Sequence, residues 1–121
     1  MKPQERAIED MSGQNANDDN PPPIAKMNLI LQEFRKVIPG DIPVSYIETF
    51  LIVAAHEGAS MGDVQRLGDT RKSTASRTLL VLWEKGLLNR VAHPSELRKL
   101  QYSLTPKGRK LVSKINELFG S

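Results

Sequence analysis

The stretch from Leu67 to Leu88, "LGDTRKSTASRTLLVLWEKGLL", constrains the fold more than any other part of the sequence. Its centre has the spacing of an amphipathic helix that begins near Thr70 and ends at Gly86, a residue type common at helix C-termini. At ~100° per residue, one stripe of this helix is apolar or small and is predicted to be buried. The stripe consists of Ala75, Thr78, Leu79 and Leu82. The cations and hydroxyls of the first two turns are therefore expected on the opposite side.

The polar side of this helix carries residue types that can read DNA. It consists of Ser73, Thr74, Ser76 and Arg77. Small hydroxyls allow close approach to a groove floor, and an arginine can bind O6 and N7 of guanine together. Arg71 and Lys72, at the positive end of the helix, are placed to meet phosphates. Taken alone, however, capping hydroxyls and solvated cations on an ordinary helix are the more common explanation of such a pattern.

Two further helices are predicted before residue 59. The first starts at Ile24 and ends before "PGDIP", because apolar residues recur every three or four positions. These residues are Ile24, Met27, Leu31, Phe34 and Ile38. Ser45 and Glu48 have the spacing of a capping box that opens the second helix, which ends near Gly58. Its inner face is predicted to consist of Ile47, Phe50, Leu51 and Ala54.

A short third helix precedes the central one. Ser60 and Asp63 have capping-box spacing, and Gly68 is predicted to stop the helix. Its inward residues are expected to be Val64 and Leu67. Two short helices joined by a tight turn are typical of a helix-turn-helix.

A hairpin and a last helix complete the predicted architecture. "LLNRVAH" and "LQYSL" predict two strands, joined by the polar loop "HPSELRK". Thr105 and Pro106 begin the last helix. Its apolar residues are Leu111, Val112, Ile115, Leu118 and Phe119. The order of elements predicts a mainly α fold with a small β-hairpin, a winged helix-turn-helix.

Charge is distributed unevenly along the 121 residues, a length typical of one domain. Residues 1–23 have a net charge of −3, low apolar content and no periodicity, which predicts a disordered acidic tail. Residues 60–110 have a net charge of +7. The basic region within the predicted domain, residues 24–121, suggests a polyanionic partner.

Five short motifs follow one another between residues 67 and 108. They are Leu67-Gly68, Ser73-Thr74-Ala75-Ser76-Arg77, Glu84-Lys85-Gly86-Leu87, Glu96-Leu97-Arg98 and Leu104-Thr105-Pro106-Lys107-Gly108. In this order they resemble the core of MarR-type winged-helix transcriptional regulators. The resemblance covers roughly residues 45–115, and Glu96 stands where the family usually has Asp. It implies a sequence-specific regulator that binds double-stranded DNA with its recognition helix, about 70–86, in the major groove.

The hairpin loop is predicted to form a wing, about residues 93–100, on the adjacent minor groove or the DNA backbone. Arg98 and Lys99 lie at its tip, and Arg90 and His93 at its base. We expect Glu96 to orient Arg98 rather than to contact DNA. A solvated hairpin tip explains Lys99 equally well, whereas a role in DNA binding is favoured for Arg98.

Apolar residues in the first and last helices exceed what one core needs, which predicts a homodimer. The candidate dimerisation residues are Met27, Leu31, Phe34, Ile115, Leu118 and Phe119. In the recognition helix, Leu80 and Val81 point away from the buried stripe and Trp83 lies at its margin. These three side chains either pack on the wing or the last helix, or form a contact surface for a protein partner.

Several classes of function have no support in the sequence. There is no cysteine, and the two histidines are far apart, so no metal site is predicted. No catalytic constellation, cofactor motif or membrane-spanning apolar run is present. We therefore expect a cytoplasmic DNA-binding regulator that is not an enzyme and needs no cofactor. The alternative is a winged-helix protein-interaction module or adaptor that acts on a polymerase or replication complex.

Overall fold

The computed structural model describes residues 21–96 and 98–120. The elements within these ranges are α1 (Pro23–Val37), α2 (Val44–Ala55), α3 (Met61–Gly68), α4 (Lys72–Glu84), β1 (Leu88–Ala92), β2 (Leu100–Leu104) and α5 (Pro106–Gly120). The predicted winged helix-turn-helix is confirmed. The predicted acidic tail lies outside the described residues except for its last three prolines. No described helix combines the length and apolar content that crossing a bilayer requires.

The start of α2 differs from the predicted capping box. The helix begins at Val44 with Pro43 as its N-cap, and no side chain caps it. Pro43 supplies the extended backbone that an N-cap needs, with φ −59° and ψ 142°. Ser45 is already inside the first turn, so the predicted pairing of Ser45 with Glu48 is wrong.

The start of α3 confirms its predicted capping box. The hydroxyl of Ser60 accepts a hydrogen bond from the Asp63 amide at 3.2 Å, and the Asp63 carboxylate accepts one from the Ser60 amide at 3.0 Å. The second carboxylate oxygen of Asp63 accepts a bond from Arg66 at 3.0 Å. These bonds hold the pKa of Asp63 below its usual range, the Ser60 amide being the largest cause and Arg66 the next.

The predicted stop at Gly68 is wrong in its mechanism. Gly68 is the last residue of α3, and Asp69 takes the left-handed conformation, with φ +47°. A Cβ on Gly68 would lie 3.0 Å from Cδ1 of Ile52 in α2. The glycine therefore permits close packing of α3 on α2, whereas an aspartate tolerates the left-handed turn.

The end of α4 confirms the prediction at Gly86. This residue has φ +76°, and its amide donates to the carbonyl of Trp83 at 3.0 Å. The amide of Leu87 donates to the carbonyl of Leu82, also at 3.0 Å. This pair of bonds is a Schellman motif, which turns the chain sharply into β1.

The hairpin pairs β1 with β2 antiparallel, with Leu88 opposite Leu104 and Arg90 opposite Tyr102. A third segment joins the sheet, because Ala59 forms an isolated bridge with Tyr102. The amide of Tyr102 donates to the carbonyl of Ala59 at 2.8 Å. The sequence analysis missed this bridge, which fixes the wing against the start of α3.

The core lies where α1, α2, α4 and α5 meet the inner face of the hairpin. All four residues of the predicted α4 stripe are buried. Phe34 of α1 packs edge-on against Phe50 of α2, with ring centroids 5.5 Å apart. Val53 is also buried, whereas Leu51 and Leu67 are exposed, contrary to their predicted inward positions. Phe50 and Val53 define the covered face of α2, and Leu51 lies about 100° from Phe50 and about 200° from Val53 around the helix.

Candidate nucleic-acid interface

The first turns of α4 form a cationic helix start. The exposed residues there are Arg71, Lys72, Ser73, Ser76 and Arg77, whereas Thr74 is half-buried. Arg71 is the N-cap, with an extended backbone at φ −76° and ψ 153°, and its side chain makes no capping bond. The first turn has no acidic residue. The predicted DNA-reading residues thus share one exposed surface, which includes Thr74 only in part.

The electrostatics of this end are unfavourable for the isolated helix. The positive end of a helix dipole is stabilised by anions and destabilised by cations. In the part of the chain that the structure describes, no hydrogen bond or ion pair engages the side chains of Arg71, Lys72 and Arg77. The start of α3, in contrast, is capped by Ser60 and Asp63. The N-terminal end of α4 therefore combines free backbone amides with cations that no acidic residue neutralises. This arrangement suits a bound polyanion.

Thr74 is turned partly toward the protein interior. It lines a cavity of about 30 Å³ together with Ser45 of α2 and Gly68 of α3. Its carbonyl accepts a hydrogen bond of 2.7 Å from the hydroxyl of the buried Thr78. Thr74, one of the residues predicted to read DNA, thus also helps to pack α4 on the rest of the helix-turn-helix.

The wing places Arg98 and Lys99 at an exposed tip. Its shape is fixed by backbone bonds from the His93 amide to Lys99 at 2.7 Å and from the Lys99 amide to Glu96 at 2.9 Å. The half-buried ring of His93 accepts a bond at Nδ1 from the amide of Ser95, at 3.1 Å. His93 therefore shapes the wing from within.

The expected pairing of Glu96 with Arg98 is wrong. Both residues are exposed, and the described residues contain no hydrogen bond or ion pair between them. An ion pair in water gains little free energy and orders two long side chains, so the turn does not enforce it. The guanidinium of Arg98 is left available to another anion.

A groove of about 600 Å³ runs between the wing and the start of α3. Its lining includes Met61, Leu100 and Tyr102, together with Arg66, Arg98 and Lys99. Arg66 is already paired with Asp63 at 3.0 Å. The cations of this groove that have no acidic partner in the described structure are Arg98 and Lys99, both on the wing.

The base of the wing contacts the recognition helix through Arg90. The Cζ atom of its guanidinium lies 3.9 Å from the centroid of the Trp83 ring. Val81 is half-buried, and Leu80 is 42% exposed. The sequence left two interpretations open for these residues, packing on the wing or last helix and contact with a protein partner. Trp83 packs against the wing.

Glu57 supports the hairpin and was missed by the sequence analysis. Its carboxylate accepts a hydrogen bond from the Leu104 amide at 2.9 Å and two bonds from Arg109 at 3.0 and 3.1 Å. The Leu104 amide is the largest cause of a lowered pKa for Glu57, and Arg109 adds to it. The partners are 47 and 52 residues away in sequence, so no local pattern could have revealed them.

The Leu-Thr-x-x-Gly motif has a structural explanation at the same junction. The hydroxyl of Thr105 donates to the carbonyl of Gly86 at 2.6 Å and accepts from the amide of Gly108 at 2.9 Å. A Cβ on Gly108 would clash with the carbonyl oxygen of Leu87. The motif therefore joins α5 to the end of α4 and sets where β2 leaves the core.

The candidate dimerisation residues divide into two groups. Met27 is 64% exposed and Phe119 62% exposed, Leu31 is also exposed, and Leu118 is half-buried. Phe34 and Ile115 are both buried within the single chain, and Phe34 packs there against Phe50 of α2. Their assignment to a dimer surface is therefore wrong.

Comparison with known proteins identifies the family. The family model described as "HxlR-like helix-turn-helix" matches residues 51–120, and the chain belongs to this family. The match includes α3, α4, the hairpin and α5. No curated protein sequence matches the chain significantly.

Solved structures with the same fold include three bacterial or archaeal regulators. A MarR transcriptional regulator from Methanosarcina mazei is 15% identical, covers 99% of this chain and 76% of its own, and has a TM-score of 0.63. FabT from Streptococcus pneumoniae in complex with DNA is 19% identical, with coverages of 96% and 76% and a TM-score of 0.59. A MepR mutant from S. aureus bound to an oligodeoxyribonucleotide is 23% identical, with coverages of 79% and 69% and a TM-score of 0.66.

The family and the fold together define the class of this protein. It is a DNA-binding transcriptional regulator with a MarR-type winged helix-turn-helix, as the sequence predicted. The family is one of regulators rather than of enzymes. No comparison supports the alternative of a polymerase or replication adaptor.

Proposed function

We propose that the protein reads a specific sequence of double-stranded DNA with α4 in the major groove. The observation that carries this proposal is the start of α4, where free amides and unpaired cations share one exposed surface. Such a helix end is stabilised when a phosphate supplies the missing negative charge.

The residues of this surface divide into two roles. Arg77 projects from the second turn of α4 with an unpaired guanidinium and can bind a guanine edge in a bidentate manner. Ser73 and Ser76 are small enough for α4 to approach the base edges closely. Arg71 and Lys72 meet phosphates, which sets the position of the helix without specifying sequence.

The wing extends the contact to the neighbouring minor groove or its backbone. Arg98 and Lys99 are exposed at the tip and have no acidic partner in the described structure. Arginine is attracted to the negative potential of narrow A·T-rich minor grooves. His93 keeps the tip in shape through its bond with Ser95.

The working form of the protein is a homodimer in this proposal. Met27 and Leu31 of α1 and Phe119 of α5 are exposed apolar residues on two helices that pack together. A second copy would cover them and place two recognition helices about 34–36 Å apart on successive major-groove turns. The dimer would act in the cytoplasm, where bacterial-type regulators of this fold meet DNA. No contact supports a further protein partner at Leu80.

Selection from a random duplex library tests sequence reading by Arg77. The wild-type protein should enrich one motif, and Arg77→Ala should lose preference at one base position, at a cost of about 1–3 kcal/mol. Ser113→Ala, on the exposed side of α5, is the matched control and should enrich the wild-type motif. Enrichment of the same motif by Arg77→Ala, with unchanged affinity, would show that α4 does not read bases through this residue.

A further inference from the structure

The stack of Arg90 on Trp83 lies at the surface between the recognition helix and the wing. Trp83 belongs to the last turn of α4 and remains 40% exposed. Arg90 lies in β1, two residues beyond the buried Leu88 and therefore on the same face of the hairpin. The contact thus joins the two elements that the proposed function brings to DNA.

The stack holds the Arg90 guanidinium without neutralising it. Elsewhere, Arg66 pairs with Asp63 and Arg109 with Glu57. Among residues 21–96 and 98–120, no carboxylate or other acceptor engages the side chain of Arg90. A guanidinium on an aromatic face keeps its N–H donors at its edge, where they can bind an oxyanion. Arg90 therefore combines a fixed position with an unsatisfied positive charge.

The position of Arg90 matches a particular part of the DNA. A helix in the major groove and a wing on the next minor groove lie on either side of one sugar-phosphate strand. Arg90 lies in β1, between the end of α4 and the wing tip, and in the proposed complex these two elements flank this strand. We propose that Trp83 is a positioning residue that holds Arg90 against a phosphate of the strand separating the two grooves. This inference rests on the proposed DNA-binding function.

The stack acts by reducing the freedom of a long side chain. An exposed arginine samples many rotamers, and binding a phosphate would restrict them. A guanidinium already placed on Trp83 loses less conformational freedom when it binds. Trp83→Leu should therefore weaken DNA binding by about two- to fivefold, a range typical of exposed cation–π contacts. Trp83→Phe keeps an aromatic face and should retain most of the affinity.

A double-mutant cycle tests the coupling. Because a phosphate contact is independent of sequence, the probe is a fluorescein-labelled duplex of mixed sequence, followed by anisotropy. Arg90→Ala should weaken binding and reduce the slope of log K against log salt by about one. Trp83→Leu should weaken binding in the wild-type background and have no effect in the Arg90→Ala background. Thermal unfolding of every variant serves as the control that each one is folded.

The only tryptophan in the chain provides an independent readout. A DNA strand held at Arg90 covers the open edge of the Trp83 indole. Saturating duplex should therefore reduce acrylamide quenching of Trp83 fluorescence. This measurement uses the wild-type protein and does not depend on whether a Trp83 variant folds.

The inference is overturned if Trp83→Leu weakens binding equally in both backgrounds or in neither. It is also overturned if quenching is unchanged at saturating DNA. If Arg90→Ala binds like the wild type while Lys72→Ala is weakened, the inference fails and the proposed function stands. If neither variant differs from the wild type, the proposed function fails as well.

Discussion

The carbonyl oxygen of Leu87 occupies the space that a Cβ on Gly108 would need. Leu87 directly follows the turn that ends α4, and Gly108 lies in the first turn of α5. The bonds of the Thr105 hydroxyl to Gly86 and Gly108 hold this approach in place. Because β1 starts at the same point, this junction sets the angle at which the wing leaves the recognition helix.

Gly108→Ala should therefore be strongly destabilising. Alanine normally favours a helix over glycine by about 1 kcal/mol. Here the added methyl group meets a backbone oxygen, and we expect a loss of at least about 3 kcal/mol in the free energy of unfolding. Urea denaturation followed by circular dichroism measures the change.

Two other glycines provide matched controls. Gly86→Ala meets no atom within 4 Å but must adopt φ +76°, so it should cost about 1–2 kcal/mol. Gly62→Ala lies inside α3 with its nearest neighbour at 3.8 Å, and it should be neutral or slightly stabilising. Equal effects of Gly108→Ala and Gly62→Ala would contradict the close approach.

The sequence predicted the elements of the fold well because their signals are local. The α4 stripe follows from helical spacing, and the capping box of α3 follows from Ser60 and Asp63. Two other features were missed because a distant contact decides them. The close approach of Ile52 explains why residue 68 is a glycine. The bonds with Leu104 and Arg109 explain the structural role of Glu57. None of these contacts leaves a trace in the neighbouring residues.

Stability should depend on pH through Glu57. Its pKa is lowered in the folded protein, so its contribution is complete above the ordinary carboxyl pKa and is lost as pH falls through the lowered value. Glu57→Gln keeps an acceptor for the Leu104 amide but loses the charge that binds Arg109. We expect the variant to be less stable at neutral pH by up to about 1 kcal/mol, because the pair is partly exposed.

Thermal unfolding from neutral to acid pH checks this prediction. The difference between the wild type and Glu57→Gln should shrink below about pH 4. Glu33→Gln removes a pair with Lys36 one turn away in α1, and such a pair within one helix contributes little, so the variant should change stability little. A constant difference between wild type and Glu57→Gln at every pH would show that the charge of Glu57 does not matter.

Dimerisation should depend on exposed residues of α1 and α5. Met27→Glu and Phe119→Glu place a charge in the proposed interface, and each should weaken association by more than about 2 kcal/mol. Sedimentation equilibrium at micromolar concentration measures the mass. Val44→Glu, at an exposed site at the start of α2, should leave the dimer intact. A wild-type mass of one chain would rule out the dimer.

The candidate site was predictable in its residue types but not in all its contacts. The exposed cations of α4 and the wing follow from helical spacing and from the hairpin pattern. The stack of Arg90 on Trp83 depends on how β1 leaves α4. The burial of Phe34 and Ile115 depends on how the helices of one chain pack together, as in the contact of Phe34 with Phe50. A helical wheel identifies an apolar face, but it does not tell which helix, or which copy of the chain, covers that face.

The salt dependence of binding to duplex DNA tests the central claim most directly. Log K should fall linearly with log salt, and Lys72→Ala should reduce the slope by about one for the lost phosphate contact. Lys114→Ala, an exposed site on α5, should leave the slope unchanged. Binding that is weakened by salt in this residue-specific way is the predicted result. Absence of duplex binding at low salt, or equal slopes for the wild type, Lys72→Ala and Lys114→Ala, would contradict the assignment of α4 to DNA.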